Sequence, residues 1–305
     1  MGTLDYRALA VLDAVVSQGS FEKAAAALGI SQSAVSQRIK ALEDASGRLL
    51  IVRGAPAVPT GLGQRLVTHH RNVRLMEAAL DIDLGNKVSM PEIAIAVDAA
   101  SLATWFPLCL PPLLSPPRCQ LAVHGADRAQ ALHLVHEGSV FGAVVASLPG
   151  VPDGHAPAAA AAAGAGPRVT ALGTLRHVCV ATPAFAGHWF GEGVSGDAVQ
   201  LAPAIVSERE LMTRWLADAA GIRGGFPHHT LPSPSALADA IMRGLAYGVL
   251  PQALAADALL DGRLVELAPG SAVDVALHWH AWDLDTPFTR ALDEQVIRTA
   301  RQHCL

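Results

Sequence analysis

Residues 20–43 read SFEKAAAALGISQSAVSQRIKALE, and this stretch decides the front of the fold. Ser20 predicts a cap for a helix over Phe21–Leu28, with Glu22 and Lys23 in its first turn and Gly29 as its stop. Ser31 caps a third helix that runs through Glu43. Ala25, Gly29 and Val35 stand at i, i+4 and i+10. They supply the small contact residue, the turn glycine and the apolar anchor that a helix-turn-helix needs. Leu28, Ile30, Ile39 and Leu42 complete the core stripe. The opposite face of the third helix carries Gln32, Ser33, Ser36, Gln37 and Lys40. Those are donors and acceptors for base edges, plus a cation for phosphate. Ser31, at the positive end of the helix dipole, would lie near the DNA backbone. Spacing alone also fits an ordinary helical hairpin with a polar outer face.

Upstream, Leu4, Leu9, Leu12, Val15 and Val16 recur at helical spacing over residues 4–18, and Gly19 ends that helix. Downstream, Gly47 precedes the apolar stretch 49–52, a proline-containing loop at 55–60 and a second short extended piece. Together these predict a β-wing, whose Arg53 could enter a neighbouring minor groove. Residues 61–84 read as one long helix with a partial stripe of Leu62, Leu66, Val73, Met76 and Leu80, and with Arg65, Arg71 and Arg74 among them.

The composition shifts at residues 85–91. Candidate strands at 93–97, 120–124 and 140–146 then alternate with helices at 102–114, interrupted by Pro107 and Pro111, and at 129–137. This β-α-β-α-β rhythm argues for a parallel sheet with helices on both faces. Residues 156–167, APAAAAAAGAGP, are of low complexity and are expected to form a mobile surface loop. Beyond them, strands are expected at 169–181, 204–206, 247–250, 264–267 and 273–282, and helices at 208–220, 234–243, 252–261 and 287–303. The expected fold is α/β (α+β with its front end). A winged helix-turn-helix spans 1–60, a linker helix 61–86, and a two-lobed effector domain 91–305. Lobe I takes 91–167 and 268–305, and lobe II takes 168–267.

Composition bounds this reading. Of 305 residues, 51% are hydrophobic and 16% charged, which is apolar material for more than one core. The net charge of -5 is uneven. Residues 1–85 carry nine Lys/Arg against eight Asp/Glu, and the remainder thirteen against nineteen, so the front is near neutral and the rest acidic. Charge alone does not announce a DNA-binding protein. Cys109, Cys119, Cys179 and Cys304 form no C-x-x-C pair, so zinc and redox motifs are unsupported. No secretory signal and no membrane-length apolar run is read, and the cytoplasm is the expected compartment.

Residues 6–60 resemble the winged helix-turn-helix of LysR-type transcriptional regulators. The pattern lies in FEKAAAALGISQSAVSQRIKALE followed by GRLLIVR. The resemblance implies a linker helix that dimerises, matched by residues 61–84, and a two-lobed effector domain like the periplasmic binding proteins. It implies base and backbone contacts from Gln32, Ser33, Ser36 and Gln37, and a wing arginine at Arg53. Narrower segments, LDYRALAVLDAV, SQSAVSQRIK, ASLATW, FGAV at 141–144 and L-x-W-H at 277–280, resemble the ArgP/LysG branch. That branch implies activation of a lysine/arginine exporter gene with the amino acid as effector. It has also been described as inhibiting the initiation of chromosome replication. The partners implied are a double-stranded DNA operator, a small-molecule effector, further copies of the chain as homodimer or tetramer, and RNA polymerase. No membrane partner and no cofactor is implied.

An effector in such a domain sits between the lobes, at strand ends and helix starts. Ser101, Leu102 and Trp105 follow the 93–97 strand. Ser101 and the amides around it could hold an α-carboxylate, or Ser101 could simply cap its helix. A cationic side chain would need acids. Asp98, Asp127, Glu208 and Glu210 fall on the loops expected to line the cleft, and each could equally be a solvated surface acid. The loop 124–128 reads His-Gly-Ala-Asp-Arg, so Arg128 adds a cation beside Asp127. His278 and His280 alternate onto one strand face, yet no third metal ligand is evident, and His69–His70 and His228–His229 are merely adjacent. No G-x-S-x-G, Walker loop or H-E-x-x-H supports an enzyme. The rival reading is an architectural or replication-associated DNA binder, with AT-rich targets and no ligand dependence.

Overall fold

Asp5 accepts hydrogen bonds from the amides of Arg7 and Ala8 and starts α1 (Tyr6–Gln18). In this computed structural model, residues 4–84, 90–115, 119–148 and 166–304 are described. Ser20 caps α2 (Phe21–Leu28) through the Lys23 amide, and Ser31 caps α3 (Gln32–Ser46) through that of Ala34. Gly29 ends α2 at φ 64°, the left-handed geometry that the turn requires. Leu9, Leu12, Val15, Ala24, Ala25, Val35 and Ile39 close into one small core. β1 (Ile51–Val52) and β2 (Val58–Pro59) pair antiparallel as the wing. Thr60 then caps α4 (Gly61–Asp83), the linker helix.

The effector domain begins with β3 (Glu92–Val97), α5 (Ala99–Ala103), a tight turn at Phe106–Cys109 and α6 (Pro111–Leu114). β4 (Gln120–Gly125), α7 (Arg128–His136) and β5 (Gly142–Ser147) follow. The prolines that interrupt 102–114 split the single expected helix into three short pieces, because Pro cannot donate to the preceding turn. β3 pairs parallel with both β4 and β5, as the first three strands predicted. The Ala-rich stretch lies, but for its last two residues, outside the described residues.

β6 (Arg168–Ala181) leads to α8 (Pro183–Trp189), α9 (Gly196–Leu201), β7 (Ile205–Val206), α10 (Arg209–Ala220) and β8 (His229–Thr230). α11 (Pro234–Met242), β9 (Gly248–Pro251), α12 (Gln252–Leu260), β10 (Val265–Glu266), β11 (Ala272–Ala281) and α13 (Pro287–His303) complete the chain. The main sheet runs β10-β6-β11-β5-β3-β4, with β9 also on β6, and it is mixed. β11 pairs antiparallel with both β5 and β6.

Two long strands serve both lobes. Leu172 and Leu175 of β6 and Leu277, Trp279 and Ala281 of β11 join the first core, with Ile95, Val144 and Leu292. Cys179 and Ala181 of β6 and Val273 and Val275 of β11 join the second, with Trp215 and Tyr247. The core therefore changes hands within each strand. Lobe edges drawn at 167/168 and 267/268 divide these strands from cores they help to fill. A strand carries one alternation throughout, so its pattern gives no mark where the covering helices change. The β6–β11 register shifts beside Leu277, where Gly173 takes φ 117°. That bulge lies in the part of the ribbon that fills the first core.

Candidate DNA-binding face and effector cleft

α3 buries Val35 and Ile39 and turns Gln32, Ser33, Gln37, Arg38 and Lys40 outward, with Ser36 half-buried. The Ser31 and Ser33 hydroxyls share a hydrogen bond, their oxygens lying 2.9 Å apart. All the predicted readers thus share one open face. Arg53 sits in the wing with its guanidinium 5.3 Å from the centre of the Phe21 ring. Cation–π contact holds that arginine in one place at little entropic cost. Glu43 accepts from the amides of Leu50 at 2.9 Å and Ile51 at 3.4 Å, which fastens the wing to the recognition helix. The wing loop is also tied back, because the Ala57 amide donates to the Gly19 carbonyl at 2.8 Å. Sequence reasoning missed both Phe21 and Glu43 as supports.

Three helices that follow strands, α5, α7 and α10, begin with an acid. Asp98 caps α5, Asp127 caps α7 and Glu208 stands at the cap position of α10, with Glu210 in its first turn. The carboxylate of Asp98 accepts from the Ser101 amide at 2.9 Å, and that of Asp127 from the Gln130 amide at 2.9 Å. Glu208 makes no capping bond, so its whole carboxylate is available. Asp98 is buried, and its second oxygen has no hydrogen-bond partner. An orphaned buried carboxylate oxygen is costly unless something else occupies its lone pairs. Burial pushes the Asp98 carboxyl up, against hydrogen bonds from Ser101 that pull it down. Burial, then the negative charges of Asp98, Glu210 and Asp127, push Glu208 up. Glu208 is exposed at the cleft mouth yet partly stripped of hydration by the protein around it. Glu208 therefore lies within electrostatic reach of the other three acids.

Ser101 does something other than expected. It is fully buried inside α5, where its hydroxyl accepts from the Trp105 indole at 3.0 Å and its own amide donates to Asp98. Asp98 takes the cap because β3 ends at Val97, one residue before it. Ser101 and Trp105 therefore fix Asp98 rather than face the cleft, and Trp105 belongs to the first core. Leu102 is half-buried on the near wall, beside Gly125. Arg128, the first residue of α7, also acts on a neighbouring strand. Its charge reaches His280, which burial holds down to about 4, with His136, His278 and Arg128 adding to the effect. No group of three His, Cys, Asp or Glu among the described residues is placed to hold a metal ion. Nor is any described helix long and apolar enough to cross a membrane.

Residues 6–64 match the lysR-family bacterial regulatory helix-turn-helix protein, and residues 88–301 match the LysR substrate binding domain. The chain belongs to the LysR family of transcriptional regulators. This LysR-family protein is 38% identical over 301 residues to the HTH-type transcriptional regulator ArgP of Pseudomonas aeruginosa PAO1, covering 97% of this chain and 96% of that one. It is similar to the crystal structure of ArgP from Mycobacterium tuberculosis, at TM-score 0.83 and 32% identity over 99% of both chains. It is also similar to full-length LysG from Corynebacterium glutamicum with bound effector Arg, at TM-score 0.74 and 32% identity over 99% of both. The LysR-family assignment settles the two readings left open for residues 20–43: they form a regulatory helix-turn-helix, not a plain hairpin. It also places the protein among transcriptional regulators.

Proposed function

We propose that this regulator senses a basic amino acid, arginine or lysine, held between its lobes, and that the bound cation alters its grip on an operator. The observation that carries the reading is the acid cluster around Glu208. Glu208 is uncapped, Asp98 keeps an orphaned oxygen, and Asp127 and Glu210 stand near. A guanidinium or ammonium group would supply the donors these acids lack. Amides at the helix starts would take the α-carboxylate, and Leu102 would line the aliphatic stem. LysG, solved with arginine as effector, is a full-length neighbour. A ligand-independent architectural protein would have no use for such a cluster.

The finer expectations belong to the same proposal. Met76, Leu80 and Leu84 stand 45%, 57% and 65% exposed along the linker helix. A second copy would cover that stripe, giving the homodimer or tetramer on a bipartite site. The regulator would act in the cytoplasm, contact RNA polymerase and activate an amino-acid exporter gene.

Titration calorimetry of the full chain tests the core of the proposal. Arginine or lysine should bind, and citrulline, which keeps the shape without the cation, should bind at least about 100-fold more weakly. Glu208→Gln should weaken arginine about tenfold, near 1.4 kcal/mol, without lowering the melting temperature, since it removes a like charge. Equal binding of arginine and citrulline, or none of either basic amino acid, overturns it.

A further inference from the structure

One turn of the linker helix touches everything around it. Tyr6 of α1 and His69 lie 2.9 Å apart, hydroxyl to Nε2. Arg71 donates to Asp13 at 2.9 Å and to Ser17 at 2.9 Å, and His70 lies 3.3 Å from Asp13. Those three residues seat the linker on the DNA-binding unit. Thr68, the next residue back, reaches lobe I instead. Its hydroxyl lies 2.9 Å from the Gly138 carbonyl and 3.2 Å from that of Glu137, both in lobe I, besides the Gln64 carbonyl of its own helix at 3.0 Å. Gly138 takes φ 70°, and a Cβ there would overlap the Thr68 side chain. Only glycine lets the two backbones approach this closely.

Glu137 and Gly138 are the end of α7, whose other end is Asp127 in the acid cluster. A nine-residue helix therefore runs from the cleft to the linker. Short helices move as rigid bodies, so a displacement at Asp127 is delivered at Gly138. A cavity of about 270 Å³, lined by Asp13, Thr68, Leu75, Gly138 and Trp282 among others, lies beside this contact.

We propose that the Thr68–Gly138 contact is the latch through which α7 reports the state of the cleft to the DNA-binding unit of the same chain. Thr68 is a positioning residue: it touches neither DNA nor effector. The inference rests on the effector reading above, and the test separates the two. The probes are arginine and a duplex selected in vitro for binding to the wild-type chain. Calorimetry reads arginine binding, fluorescence anisotropy reads DNA affinity with and without arginine, and hydrogen exchange reads residues 64–74 and 134–140. Thr68→Val, which keeps the shape and loses the hydroxyl, should bind arginine within about twofold of wild type. Its DNA affinity should have lost most of its arginine dependence, and both segments should exchange faster together even without ligand. Thr68→Ser, which restores the hydroxyl, should recover both properties. A Thr68→Val chain whose DNA affinity still responds to arginine as the wild type does overturns the latch. If arginine fails to bind the wild type, the effector reading falls instead. The latch is then decided by ligand-free exchange: unchanged exchange in Thr68→Val overturns it, and joint acceleration reversed by Thr68→Ser supports it.

Discussion

Gln37 and Arg53 would approach DNA by different physics, and single substitutions separate them. Gln37 is exposed on the outer face of α3, where an amide can pair with a base edge. Gln37→Ala should cost about 1–3 kcal/mol on the best sequence and relax preference at one base position. Arg53, parked over Phe21, supplies charge. Arg53→Ala should weaken all duplexes alike and lower the slope of log affinity against log salt by about one. Anisotropy titrations on a panel of duplexes at several salt concentrations check both. A uniform loss from Gln37→Ala would remove it from base reading.

At the scale of elements, the wing depends on one side chain from another helix. Glu43 accepts two wing amides, and charge-assisted bonds of this kind are worth about 1.5–3 kcal/mol each when made. Glu43→Ala should lower the melting temperature and weaken DNA binding without changing base preference, because α3 itself keeps its Ser31 cap. Thermal denaturation together with the same duplex panel checks this. The helices of the front end were legible because their signals are local: Ser20, Ser31, Gly29 and an apolar period. Glu43 was not legible in this role, since its partners Leu50 and Ile51 are reached only once the wing folds back. The cleft divides in the same way. Asp98, Asp127 and Glu208 could be named from their places behind strands. That Asp98 rather than Ser101 caps α5 turned on the helix start, which falls at Ala99 and not at the expected residue 102. The approach of His136 to His280, with ring centres 6.5 Å apart, joins residues 144 positions apart, and no spacing rule connects them.

For the whole molecule, protonation sets opposing demands on the fold and on the cleft. His177 and His280 are both held down to about 4, mainly by burial, against an ordinary value of 6.5. The unfolded chain takes up these protons near 6.5 and the folded chain only near 4. Between those values the unfolded state binds more protons, so stability falls as pH drops through that window. The melting temperature should decline from about pH 7 to about pH 5, and His280→Phe should make the decline shallower. Glu208 has the opposite sign, because its folded value is raised from 4.5. It takes up a proton in the empty cleft at a pH where an ordinary glutamate is ionised, and a bound cation favours the ionised form. Arginine binding should therefore release a proton, and its affinity should fall as pH drops into the raised range of Glu208. Calorimetry in two buffers of different ionisation heat reads that proton directly. Glu208→Gln should abolish the release while leaving the acid decline of the melting temperature in place. A proton release that survives Glu208→Gln would assign the titration to another of the cleft acids, with Asp98, the more deeply buried, as the next group to substitute.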